Sequence, residues 1–180
     1  IIQRGLAAAE DIFEQLDTEL EQNAGDSTLG NVSGHVEFHN IAFRYPGAKT
    51  DAISDVSFAI EAGQTVAIVG RSGSGKSTLV KLLARFYTPT VGHITLDDQD
   101  IQSIELGNYR DHLAFVPQAI NLFSDTVAGN IALGSMSDSS QEAVIEAARK
   151  AQADGFVSEL ESGYDTLIGE QGVGLSGGQQ

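Results

Sequence analysis

Hydrophobic and polar positions along the chain follow several distinct rhythms. Between residues 1 and 20, Ile2, Leu6, Ala9, Phe13 and Leu16 recur at steps of four, three, four and three, which puts them on one face of a helix. Such a face suits either a core-packed helix or one joining a further domain upstream. Residues 21–34 are rich in Gly, Asn, Asp, Ser and Thr, show no period and are expected to form a linker. Alternation by twos then begins. Val36 and Phe38 share one phase and Ile41, Phe43 and Tyr45 the other, so a bulge is expected near His39-Asn40. Pro46-Gly47 ends that strand in a turn. Val56, Phe58 and Ile60 alternate in a second strand, and the pair predicts a half-exposed antiparallel sheet.

Thr65-Val66-Ala67-Ile68-Val69 does not alternate, as expected of a strand covered on both faces. A glycine-rich loop follows. Leu79, Val80, Leu82, Leu83 and Phe86 then mark a helix of about three turns ending near Pro89. Residues 93–96 and 113–116 predict further strands around a short helical piece at 106–112. Strand, loop, helix and strand in this order predict a parallel α/β core. Beyond Asp125 the pattern turns helical: Ser139 and Glu142 have capping-box spacing, Val144, Ala148 and Ala151 share a face, and Phe156, Val157 and Leu160 predict another helix before Gly163.

Composition narrows the function. The 180 residues carry 25 Asp and Glu against 10 Lys and Arg, a formal charge of -15, which repels a nucleic-acid backbone and argues against nucleic acid as a partner. Most of the excess lies in the first 30 and the last 45 residues, so the middle suits an anionic ligand best. With no Cys, disulfides and thiolate metal sites are excluded, and the four His lack the spacing of a metal site. No apolar run is long enough to span a bilayer. The start at Ile1 has neither an initiator Met nor a signal-peptide core, and is expected to be a cut from a longer chain.

Gly70-Arg71-Ser72-Gly73-Ser74-Gly75-Lys76-Ser77 fits G-x-x-x-x-G-K-[ST], between an apolar strand pattern and a helix pattern. A polyphosphate needs many donors at short range. Glycines let the backbone wrap around it with N–H groups inward, and a helix N-terminus adds a favourable dipole. Lys76 supplies charge to the β- and γ-phosphates, the Ser77 hydroxyl can ligate Mg²⁺, and Thr78 completes the run of expected nucleotide-binding residues.

Leu175-Ser176-Gly177-Gly178-Gln179 lies about 100 residues downstream. With the phosphate loop it makes the sequence resemble the ATP-binding-cassette family, whose signature reads LSGGQ, and the resemblance runs over essentially the whole chain. The opening Gln3-Arg4-Gly5-Leu6, together with Arg85-Phe86-Tyr87, Asn121-Leu122-Phe123-Ser124-Asp125 and Ile168-Gly169-Glu170, is similar to exporters that fuse membrane and nucleotide domains and move lipid, lipid A among them, across the bacterial inner membrane. Gly174 and Gln180 depart from the usual pattern.

The resemblance implies an α/β fold. Its ABC-type P-loop NTPase core would carry an antiparallel β subdomain and an α-helical subdomain, ending before the Walker B strand. Implied divisions are residues 1–20, the end of the transmembrane domain and its helix; 21–34, linker; 35–118, the ATP-binding core with the β subdomain; and 119–180, the helical subdomain. Implied ligands are ATP and Mg²⁺. Tyr45 would stack on adenine, Gln118 would contact Mg²⁺ and the attacking water, and Glu170 would face a coupling helix. Ser176, Gly177, Gly178 and Gln179 would close over ATP held by a second copy, paired head to tail. Implied partners are that second copy, the transmembrane domain of the same polypeptide and, through it, a lipid or hydrophobic substrate. The implied place is the cytoplasmic face of the inner membrane. The family's Mg²⁺-supporting Asp, its water-polarising Glu and its γ-phosphate-sensing His lie downstream of the signature. Hydrolysis is therefore expected of the full-length protein, with the fragment inactive or nearly so. A multidrug or peptide exporter, a soluble non-transport ATPase and an ATP-gated regulatory module share these motifs.

Overall fold

A computed structural model describes residues 9, 12, 13, 16, 17, 21, 23–118, 120–169, 175 and 176. The chain divides into two compact units, Ile1–Phe115 and Val116–Gln180.

In the first unit, β1 (Val36–Phe43), β2 (Ile53–Ile60), β3 (Val91–Leu96) and β4 (Gln99–Asp100) form an antiparallel sheet in the order β2-β1-β3-β4. The expected bulge is present. The β1 register shifts between Phe38 and Ile41 against β2 and between His39 and Ala42 against β3, and Asn40 takes a φ of 47°, which Asn tolerates better than most residues. The extra residue switches phase, so that Phe38, Ile41 and Phe43 are all buried on one face. They pack with Ile53, Ile94, Leu96, Ile101, Ile104 and Tyr109 against helix α1 (Lys76–Leu83), whose Leu82 is fully buried.

Helix α1 ends six residues before Pro89. The Phe86 N–H donates to Lys81 O (2.9 Å) and the Arg85 N–H to Leu82 O (3.0 Å), the paired bonds of a Schellman motif. Its left-handed position, usually glycine, is Arg85 at φ 56°. A buried side chain compensates: Arg85 Nη1 donates to Ile104 O at 2.7 Å and the guanidinium lies 5.6 Å from the Tyr109 ring centroid.

Three expectations need correction. The strand at 93–96 belongs to β3, which pairs antiparallel with β1 and does not enter a parallel core. Residues 64–70 and 113–117 carry no strand, and Val66, Ile68, Val69, Phe115 and Val116 are exposed, Val69 by 87%. A central parallel strand takes its hydrogen bonds and its cover from neighbours on both sides, and among the described residues nothing pairs with these. Of the expected helical face, Ala9, Phe13 and Leu16 are helical and Ile2 and Leu6 lie outside the described residues; Phe13 and Leu16 are exposed, so of the two placements considered the core-packed one is not found.

Glu21, Asn23, Ser27 and Leu29 meet residues 103–110, in and just before helix α2 (Leu106–Asp111). Glu21 meets Arg110. The Leu106 N–H donates to Asn23 Oδ1 (2.8 Å), the Ser27 N–H to Ser103 O (3.1 Å) and the Leu29 N–H to Asn108 Oδ1 (2.6 Å). Backbone N–H groups of Ser33, Gly34 and His35 converge on the Asp97 carboxylate.

The second unit holds α3 (Val127–Ile131), α4 (Gln141–Lys150) and α5 (Asp154–Ser158). Its core is Val127, Val157 and Ile168, with Leu122, Ile131, Phe156, Leu160 and Leu175 around them. The cap of α4 is Ser140, whose Oγ accepts from the Ala143 N–H, one residue later than the expected Ser139. Val144 and Ala148 are buried as expected, whereas Ala151 is exposed.

Candidate functional site

The glycine-rich loop turns through Gly73 and Gly75, at φ 80° and 85°, and delivers the chain into α1 with Gly75 as its N-cap. No side chain caps that end, so the first-turn amides face the loop without a competing side-chain acceptor. Gly75 is required twice over: its φ is left-handed, and a Cβ there would sit 2.7 Å from Ala52 O. The Lys76 ammonium reaches back across the loop, donating to Gly70 O (2.9 Å) and Arg71 O (2.7 Å), with Ser74 Oγ at 3.5 Å. The Ser74 N–H donates to Arg71 O at 3.2 Å and closes the turn.

Tyr45, Ala52, Ser72, Gly73, Gly75, Lys76, Ser77 and Thr78 line a concavity of about 290 Å³. One aromatic, one ammonium, two hydroxyl-bearing first-turn residues and a stretch of glycine backbone therefore share one wall system, an arrangement that suits a planar ring joined to an anionic tail. Tyr45 is half-buried. Its ring meets Phe43 and Tyr87 edge-on at 4.9 and 5.1 Å between centroids, Lys81 Nζ lies 6.0 Å from its centroid, and its hydroxyl is 3.1 Å from the buried Thr78 Oγ1. Two larger concavities, of about 490 and 300 Å³, lie in the second unit among residues such as Asp125 and Tyr164, and Leu122 and Phe156. Neither contains a residue of the loop, and the chemistry selects the smaller space.

Gln118 and Ser176 belong to the second unit, where both are exposed. Gly177, Gly178, Gln179 and Glu170 lie outside the described residues. Ala52 and Lys81 are additions that sequence reasoning missed. Lys81, one turn beyond Ser77, had a signal in the helical period; Ala52 had none, because only pairing at the start of β2 brings it there.

The family model described as ABC transporter matches residues 53–180. The chain belongs to the ABC transporter family. This ABC domain is 49% identical over 179 residues to the ATP-dependent lipid A-core flippase of Pseudomonas fluorescens strain Pf-5, covering 99% of the chain and 30% of that protein. It is 48% identical over 179 residues to the flippase of the same name from Pseudomonas aeruginosa PAO1, with the same coverage. The Salmonella typhimurium LT2 flippase is 46% identical over 178 residues, 99% of the chain and 31% of the relative. Its fold matches a solved bacterial Atm1-family ABC exporter with ATP bound, at a TM-score of 0.85 and 39% identity over 99% of this chain and 31% of that one. The ABC ATPase fold expected from the motifs is thereby established. The chain spans about 30% of the length of these flippases.

Proposed function

We propose that the chain binds Mg-ATP at the phosphate loop as the nucleotide-binding part of a membrane exporter. In the complete protein, two such domains pair head to tail and hydrolyse ATP at the cytoplasmic face of the bacterial inner membrane. The transmembrane domain of the same polypeptide then carries a lipid or hydrophobic cargo, lipid A-like by analogy with the named flippases. The observation that carries the nucleotide reading is the uncapped N-terminus of α1 behind a left-handed Gly75, with the Lys76 ammonium over the loop and Tyr45 on the same concavity.

In this reading the amides of Gly73 to Ser77 donate to phosphate oxygens. Lys76 exchanges two neutral carbonyl acceptors for charged oxygens, a gain because charge-assisted bonds are stronger than neutral ones. Ser77 would hold Mg²⁺, which when bound neutralises phosphate charge. Tyr45 takes the adenine ring, steadied by the hydroxyl of Thr78. Gly70, Arg71, Ser72 and Ser74 shape the loop that Lys76 crosses. Gln118 would orient the attacking water and help to hold Mg²⁺, and Ser176, Gly177, Gly178 and Gln179 would complete the site of the paired copy.

Calorimetric titration of the full-length protein tests the assignment. Lys76→Ala is expected to weaken Mg-ATP binding roughly 10- to 150-fold, the equivalent of about 1.5–3 kcal/mol for hydrogen bonds to a charged group. Unchanged affinity would remove the phosphate-loop reading.

A further inference from the structure

We propose that Arg110, gripped by Glu21, is a positioning residue for the phosphate loop: it holds the rear of helix α1, so that the chain segment at Glu21 sets nucleotide affinity from the far end of that helix. The inference rests on the nucleotide reading above and names a control point for the same site.

Helix α1 has two ends with different duties. Its front, at Gly75 to Thr78, lines the candidate nucleotide space. The carbonyl of its last residue and those of the two residues that follow it are taken by α2. The Tyr109 hydroxyl donates to Leu83 O at 2.6 Å, and Arg110 Nη2 donates to Arg85 O at 3.2 Å, with Ala84 O at 3.5 Å. Tyr109 is fully buried and burial pushes its hydroxyl upward from the usual phenol range, so it stays a donor. A cation beside the last carbonyls also complements the helix dipole. Eight residues of helix make a rod of roughly 12 Å. Such a rod is stiff, so a shift at one end is carried to the other, and a displacement of about 1 Å at a reacting site is costly.

Arg110 is in turn fixed from outside. Both Nη atoms meet the Glu21 carboxylate, Nη1 to Oε2 at 2.7 Å, a fork geometry that specifies direction as well as charge. The guanidinium lies 5.3 Å from the Phe86 ring centroid, immediately after the helix terminus. The Arg110 hydrogen bond holds the Glu21 carboxyl below its usual range. Arg110 Nε is buried without a partner. Leaving a buried donor unmet is unfavourable, and here it accompanies an orientation that serves the carboxylate and the helix carbonyls together. Asn23 adds a second grip two residues on. Its Oδ1 accepts from the Leu106 N–H, and its Nδ2 donates to Glu105, the N-cap of α2. The stretch beginning at Glu21 thus holds both ends of the short helix that holds the rear of α1.

The test uses the full-length protein and reads KM for ATP against kcat, fluorescent-nucleotide Kd and Tm. Glu21→Gln and Arg110→Ala are each expected to raise KM and Kd roughly 3- to 30-fold, the range for coupling through residues that do not touch ligand, with kcat at saturating ATP within about two-fold. The double variant should be no weaker than Arg110→Ala, because both remove one route. Arg110→Lys keeps charge without the fork and should fall between Arg110→Ala and the unsubstituted protein. Asp97→Asn is the control, loosening residues 33–35 away from α1 and lowering Tm without moving KM. Glu21 lies at the surface, so its variant carries the test if Arg110→Ala does not fold. A Tm loss like that of Asp97→Asn with unchanged KM, or effects that add in the double variant, overturns the latch alone. Failure of the unsubstituted protein to bind Mg-ATP overturns the latch and the nucleotide reading together.

Discussion

Gly75 and Gly73 look interchangeable as letters of the motif, yet they are constrained differently. Both have left-handed φ, but a Cβ on Gly73 would meet nothing within 4 Å, whereas on Gly75 it would run into Ala52 O at 2.7 Å and Ile53 Cγ1 at 3.0 Å. Gly73→Ala therefore carries only the conformational cost, roughly 1–2 kcal/mol. Gly75→Ala adds a backbone clash that must displace either the loop or the start of β2. Urea unfolding should show Gly75→Ala to be the more destabilising by at least about 1 kcal/mol, with the larger loss of nucleotide affinity. Equal costs would mean that the close approach to Ala52 has no energetic weight. Tyr45 teaches a related lesson. The family resemblance implied its role, but its link to Thr78 and its proximity to Lys81 depend on packing between β1 and α1, which no local pattern encodes.

Among the elements, residues 23–35 depart most from their composition. Gly, Asn, Asp and Ser suggest a loose connection, and here the same polar side chains and backbone amides find partners more than 60 positions away. Asp97 anchors the far end. Hydrogen bonds from the Ser33 hydroxyl, then from the His35, Ser33 and Gly34 amides, lower its carboxyl to about 2 from 3.8. A lowered carboxyl contributes stability that is fully present above the unfolded value and is lost as pH falls through the folded one. Thermal unfolding is thus expected to lose stability between about pH 4 and pH 2 through this group. In Asp97→Asn, Tm at neutral pH should drop by a few degrees and the acid loss over that window should shrink. An unchanged acid limb would exclude Asp97 as its source. The helices were easier to read than this segment, since α1, α4 and α5 follow from the apolar period, while their ends needed three-dimensional facts. The α1 terminus is set by Arg85, a residue without turn propensity, because Ile104 and Tyr109 accept its side chain.

At the scale of the whole chain, the apolar residues of 65–69 and 113–116 are the main discrepancy between pattern and structure. The exposed Val66, Ile68, Val69, Phe115 and Val116 leave apolar surface that a soluble monomer rarely tolerates in quantity. The 180-residue chain alone should bind a hydrophobic dye such as ANS and self-associate as concentration rises. Val69→Lys should reduce both, and a chain that stays monomeric and dye-free at high concentration would contradict the exposure. The sequence by itself determined the family, the phosphate loop, the signature, the bulge at Asn40 and the acidic character, because each is written in neighbouring residues or in a period of two or 3.6. Only the tertiary structure decided which strands pair, that β3 joins the antiparallel sheet, and that Glu21 and Arg110 meet behind α1. Those outcomes depend on burial and hydrogen bonding between residues distant in sequence, and such interactions leave no periodic trace along the chain.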